Sequence, residues 1–106
     1  MIVLMQNHSK SEEGVDFSRR VSREDLTNWT SDNFDFYSDV ATIATDDLEE
    51  SFQIHNKSRA FGLDDERIQT IKRHYSMSVG DILRDSNGDH HMVCGMGFKK
   101  IEGAQA

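Results

Sequence analysis

The chain has 106 residues, a size that suits one domain able to bury a core without staples. Its single cysteine, Cys94, excludes an intramolecular disulfide, and no apolar run is long enough to span a bilayer. The net charge of −7 is concentrated: residues 34–66 carry nine acidic and two basic side chains, whereas residues 67–106 carry four acidic and six basic ones. A broad cationic face for direct nucleic-acid binding is therefore not expected.

Hydrophobic residues make up 36% of the chain and the mean hydropathy is −0.66, which fits a small domain carrying solvated segments. Residues 1–5 (MIVLM) are compatible with a first strand. The run is too short to be a secretory apolar region, so a cytoplasmic location is the expectation. Residues 8–14 (HSKSEEG) read as a polar, mobile loop. Ser22 then offers a helix N-cap with Asp25 three residues on, predicting a short helix from Arg23 to about Trp29.

Residues 34–45 (FDFYSDVATIAT) alternate as a strand. The period slips at Phe36–Tyr37 and between Val40 and Ile43, which points to a bulge or a strand buried on both faces. Thr45 or Asp46 caps a helix over residues 47–55, with Leu48, Phe52 and His55 on one face and Asn56 as its stop. After a connection over 57–62, Asp64 is placed to cap a further helix over 65–74, with Ile68 and Ile71 buried. The absence of proline leaves helix ends to caps and glycines alone.

Asn87-Gly88 between apolar segments is a strong hairpin signal. A two-residue turn would pair Asp85 with His90, Arg84 with His91, Leu83 with Met92 and Ile82 with Val93. One face would then carry Asp81, Leu83, Asp85, His90, Met92 and Cys94, and the other Ile82, Arg84, His91 and Val93. Both faces are apolar near Ile82–Leu83, so the hairpin should be covered on two sides with its tip in water.

That geometry disfavours a metal centre at His90-His91-x-x-Cys94. Adjacent strand residues point to opposite faces, and His90 and Cys94 are separated by roughly 13 Å at strand rise. Cys94 reads as a small buried hydrophobe rather than a nucleophile. Ser76 and Ser78 alternate with Met77 and Val79 as the polar face of an extended segment, with no elbow motif framing either. Gly95 and Gly97 in GMGF lack the following capped helix that a phosphate loop needs. Asp46-Asp47 and Asp64-Asp65 serve as helix caps. No catalytic, cofactor-binding or metal-ligating residue is assigned, and no cofactor is expected.

From Tyr37 onward the chain resembles the YodL-like domains of bacterial, plasmid and phage proteins. The resemblance rests on Tyr37-x-x-Val40, on Leu48-Glu49-x-x-Phe52 followed by Asn56, on Ser76-Met77-Ser78-Val79-Gly80-Asp81-Ile82 and on a closing Gly97-Phe98. It covers residues 37–101, leaving the first 36 outside. It departs between Asn56 and Tyr75, where members commonly run through a proline and a glycine. It implies a small α+β fold and a phage or mobile-element origin, and no established activity.

The resulting expectation is a single α+β domain over residues 1–106. An antiparallel sheet would hold residues 34–45, both hairpin arms and residues 1–5, with two to three short helices mainly on one face. The core is predicted at Val40, Ile43, Leu48, Phe52, Ile68, Ile71, Met77, Val79, Ile82, Leu83, Val93 and Phe98. Asp81 should hydrogen-bond backbone near the start of its strand. The function expected is that of a non-enzymatic accessory protein that binds another protein, such as a host factor. The alternatives are an acidic nucleic-acid mimic, using Asp46, Asp47, Glu49, Glu50, Asp64, Asp65 and Glu66 as one surface, and an enzyme with a dispersed site such as His55, His74 and Asp81 meeting in a pocket. A module binding nucleic acid through Arg67, Lys72, Arg73, Lys99 and Lys100 is the weakest reading.

Overall fold

The structure, a computed structural model, describes residues 1–23 and 31–101. In chain order it has β1 (Ile2–Asn7), α1 (Glu12–Val21), a 3-10 segment (Ser31–Phe36), β2 (Tyr37–Ile43), α2 (Leu48–Phe61), β3 (Ile68–Thr70), β4 (Ile82–Arg84), β5 (His90–Val93) and β6 (Phe98–Ile101). The strands form one antiparallel sheet in the order β3-β2-β1-β4-β5-β6. The fold is α+β, as the sequence implies.

β1 lies inside the sheet because successive side chains on it are apolar. Ile2 and Leu4 point to one face with Val40, Ala41, Ile43, Leu83 and Val93, where Ile54 of α2 covers them. Val3 and Met5 point to the other with Tyr37, Ile82 and Met92, where Phe17 and Val21 of α1 cover them. A strand apolar on both faces needs a layer on each side. The helices therefore take opposite faces, not one common face.

The period slip in β2 is a bulge. Leu4 pairs with Ala41 and Met5 with Asp39, so Val40 is the extra residue. Its carbonyl accepts the N–H groups of both Ile71 and Lys72, at 2.9 and 3.1 Å, which anchors the chain leaving β3.

Several expectations are corrected. Residues 8–14 are not one loop, because Ser11 caps α1 by accepting from the Gly14 N–H, with Glu12 and Glu13 at the positive end of the helix. Ser22 ends α1 as its C-cap. Of the helix predicted from Arg23 to about Trp29, all but Arg23 lies outside the described residues. Asp47, not Thr45 or Asp46, caps α2 by accepting from Glu50 N–H. α2 then runs past Asn56 to Phe61, since only Gly62, at φ 62°, supplies the left-handed residue that ends it.

Residues 65–74 are not helical. Asp65 Oδ1 accepts from the Arg67 N–H two residues on, which turns the chain into β3, and Ile68 pairs with Ile43. Ile71 lies beyond β3 and is 54% exposed, so it is not core. Val79 is only half-buried. Val40, Ile43, Met77, Ile82, Leu83 and Val93 are buried, and Leu48, Phe52, Ile68 and Phe98 pack against them.

The hairpin register differs from the two-residue turn by one. Ile82 pairs with Met92, Leu83 with His91 and Arg84 with His90. Asp85 Oδ1 accepts the N–H groups of Asn87 and Asp89 at 2.9 and 3.0 Å, and Gly88 N–H donates to Asp85 O. With Gly88 at φ 85°, this is a three-residue loop closed by the left-handed glycine. The slip puts Ile82 and Met92 on the α1 face and Leu83 and Val93 on the α2 face. The two-sided covering of the hairpin survives the correction.

Candidate functional site

A concavity lies at the C-terminal end of α2. Gly62 reverses the chain, and Leu63 N–H closes back on Ser58 O at 3.0 Å while the Ser58 hydroxyl donates to Leu63 O. The following segment stands off the helix until Arg67, whose guanidinium grips Asp65 at 2.7 and 2.9 Å. This grip, with the Arg67 N–H, holds the Asp65 carboxyl down at about 2. Between helix and segment is a cavity of about 510 Å³, lined among others by Arg59, Leu63, Asp64, Glu66, Thr70 and His74. A second hollow of about 400 Å³, reaching Gln53 and Lys57, shares Leu63, Asp64 and Asp65 with it.

Thr70 and His74 in the cavity wall belong to a chain of hydrogen bonds whose direction can be deduced. Asn56 Oδ1 accepts from Met77 N–H and its Nδ2 donates to Met77 O, which fixes the amide orientation. His55 Nδ1, 3.2 Å from that oxygen, must then be the protonated nitrogen. His55 Nε2 is left as an acceptor, so His74 Nδ1 donates to it across 3.0 Å. His74 Nε2 in turn accepts from the Thr70 hydroxyl at 3.0 Å. Burial lowers the proton affinity of both imidazoles, Arg59 adding to it, so both are neutral at pH 7. Every polar atom of the relay has a protein partner, and the relay ties α2 to the turn after β3.

Two side-chain amides clamp residues 71–81, which have no strand or helix of their own. Asn56 grips Met77 as described, and Gln6 grips Tyr75 in the same way, donating to its carbonyl at 2.8 Å and accepting its N–H at 3.0 Å. Backbone groups that a ladder would satisfy are satisfied by side chains instead. No sequence pattern announces these pairs, because each partner lies on a different element.

The dispersed trio of histidines and aspartate is thus half assembled. His55 and His74 meet, but Asp81 does not join them. Its Oδ2 accepts from Ser78 N–H and Gln6 Nε2, each at 3.0 Å, in a separate cleft beside α1. Of the outer members of the relay, Thr70 carries no signal in the sequence, and Asn56 reads there only as a helix stop, not as the partner of His55 and Met77. His90 and His91 face opposite sides of the sheet. His90 packs on the Phe34 ring at 4.8 Å, and His91 Nε2 lies 2.8 Å from Asp85 Oδ2.

The acidic residues are partly committed to internal partners. Asp46 binds the N-terminal amine and Ser86, Asp47 caps α2 and Asp65 holds Arg67. Asp64 and Glu66 are exposed beside the cavity. Phe61 and Leu63, on either side of Gly62, are 70% and 55% exposed. No helix among the described residues is long and apolar enough to cross a membrane. No protein-family model, curated protein or solved structure matches the chain.

Proposed function

We propose that this chain is a non-enzymatic accessory protein of phage or mobile-element origin that acts by binding another protein, such as a host factor. The observation that carries the binding reading is the shoulder at the end of α2. Phe61 and Leu63 stand in solvent on a turn fixed by Gly62 and Ser58, beside a ready-made hollow. Large apolar side chains held rigidly in water are characteristic of contact surfaces. Asp64 and Glu66 add an acidic rim. The partner chemistry that fits is an apolar pocket flanked by basic side chains. The mobile-element origin rests on the resemblance of residues 37–101 to YodL-like domains.

The test is a crosslinking pull-down from host lysate with wild-type protein and with F61S/L63S, whose changes lie at exposed positions. A protein held by the wild type and lost from the variant, then bound at least tenfold more weakly by the purified variant, is the expected result. Identical retention by both proteins overturns the reading.

A further inference from the structure

We infer that the cleft between the C-terminal end of α1 and residues 75–81 is a binding site for a primary ammonium group, with the Asp81 carboxylate as its counter-charge. This site goes beyond the protein-binding shoulder and shares no lining residue with the α2 cavity.

The cleft holds about 180 Å³, room for roughly six waters at ~30 Å³ each, or for a short alkylamine. Its charge is one-sided. Among the described residues no lysine, arginine or histidine lines it. Ser18, Ser22, Ser76 and Ser78, Gly80 and the Asp81 carboxylate line it together with Val21, Val79 and two tyrosines. The amide donors of Gln6 and Asn7 in the wall are already engaged by Tyr75, Asp81 and Gly14. Asp81 Oδ2 takes the Ser78 and Gln6 donors, while Oδ1 accepts nothing from the described residues. The last turn of α1 ends at this cleft, adding the negative pole of the helix. An ammonium brings three N–H donors and one positive charge, which matches this set.

The backbone is shaped to keep the cleft open and the carboxylate in place. Gly80 has φ 99°, and a Cβ there would come within 2.9 Å of Val21 Cγ2 of α1. The Tyr37 hydroxyl donates to Gly80 O at 2.5 Å from below. Ser78 and Asp81 close on one another twice, Ser78 N–H to Asp81 Oδ2 and Asp81 N–H to Ser78 O, both at 3.0 Å. Cationic groups packed at the rim are engaged elsewhere: Arg73 lies over the outer Tyr75 ring at 5.6 Å, and Arg19 pairs with Asp16. His8 stands edge-on to the same Tyr75 ring.

Burial pushes the Asp81 carboxyl up to about 7, against the pull of the Ser78 N–H and Gln6. A proton and an ammonium therefore compete for one carboxylate. Affinity should be roughly tenfold tighter at pH 8 than at pH 6.

The experiment is a ¹H–¹⁵N titration of the whole chain with propylammonium chloride, with Nα-acetyl-lysine methylamide, and with tetramethylammonium chloride at matched ionic strength. The site predicts saturable shifts at the Ser78 and Asp81 amides with at least one of the first two. It predicts none with tetramethylammonium, which has no N–H to donate. Binding of propylammonium alone identifies a free small amine as the natural ligand, and binding of the lysine derivative identifies a protein side chain. D81N should abolish the shifts. S18L, which fills the cleft from the exposed face of α1 and leaves Asp81 intact, should abolish them too, so the test survives if D81N fails to fold. Shifts that persist in both variants, that appear equally with tetramethylammonium, that fail to saturate, or that only Mg²⁺ or Ca²⁺ produces overturn the assignment.

Discussion

Asp81 shows how much one side chain can be asked to do. Its backbone hydrogen bond to Ser78 follows from its place before β4, and the sequence predicts that role. Its burial does not follow, because the residues that cover it come from β1, α1 and β2. Burial has a thermodynamic consequence whose sign is fixed. The folded carboxyl titrates near 7, and the unfolded one near the ordinary 3.8. Between these values the native state binds the extra proton, so this group's contribution to stability falls as pH rises from about 4 to 7 and is constant above. Asn at this position cannot ionise. Urea denaturation of D81N and wild type should show the difference shifting toward the variant across that window and levelling off beyond it; a difference independent of pH would rule out the raised pKa. Asn56 makes the complementary case for a neutral group. Ala in its place leaves Met77 N–H and C=O and His55 Nδ1 without their partner, which should cost ~1–3 kcal/mol in denaturant titrations.

At the scale of elements, the legible parts were those whose determinants are local. The Leu48–Phe52–His55 face of α2 and the presence of a hairpin at Asn87-Gly88 lie within a few residues of what they specify, whereas the cap falls one residue on, at Asp47, and the loop is one residue longer than a two-residue turn. Where local signals were ambiguous, long-range pairing decided. Ile68 and Ile71 are spaced for a helix, yet Ile68 is held by Ile43 across the sheet. α1 carries few apolar residues, and only Phe17 and Val21 are buried among them, so its sequence does not stand out from a polar loop. The hairpin slip has a specific origin. Asp85 binds both the Asn87 and Asp89 amides, which favours a loop of three residues over a two-residue turn. Gly88 then has to be left-handed, at φ 85°, with open space around its α-carbon. G88A should therefore lose ~1–2 kcal/mol through backbone strain alone. N87G, whose side chain is exposed, should be close to neutral in the same thermal or urea measurement.

Across the whole molecule, the residues that the family resemblance leaves out turn out to be structurally central. β1 sits between β2 and β4 and contributes to both apolar clusters. A terminal apolar run predicts a strand but says nothing about its neighbours, because its partners Ile43 and Leu83 lie far along the chain. The same assembly buries three histidines, two in the relay under α2 and His90 beneath Phe34. Burial lowers the proton affinity of each, with Arg59 acting on the relay and Arg84 on His90. A base whose folded pKa lies below its unfolded value of about 6.5 takes up its proton preferentially when unfolded. Each such proton costs about 1.4 kcal/mol per pH unit over its window, and the loss begins as pH falls through 6.5. Asp81 acts in the opposite direction over part of the same range, so one term offsets one of three. The relay sharpens the effect. His74 can accept one proton at Nε2 if the Thr70 hydroxyl turns to accept, but a second proton at His55 Nε2 would face the His74 Nδ1–H across 3.0 Å. Stability should therefore be highest at or above neutral pH and fall on moving to pH 5, with a steeper fall in D81N, where the offset is absent. Urea midpoints that do not change between pH 7.5 and pH 5 would show that the histidines are not buried as neutral groups.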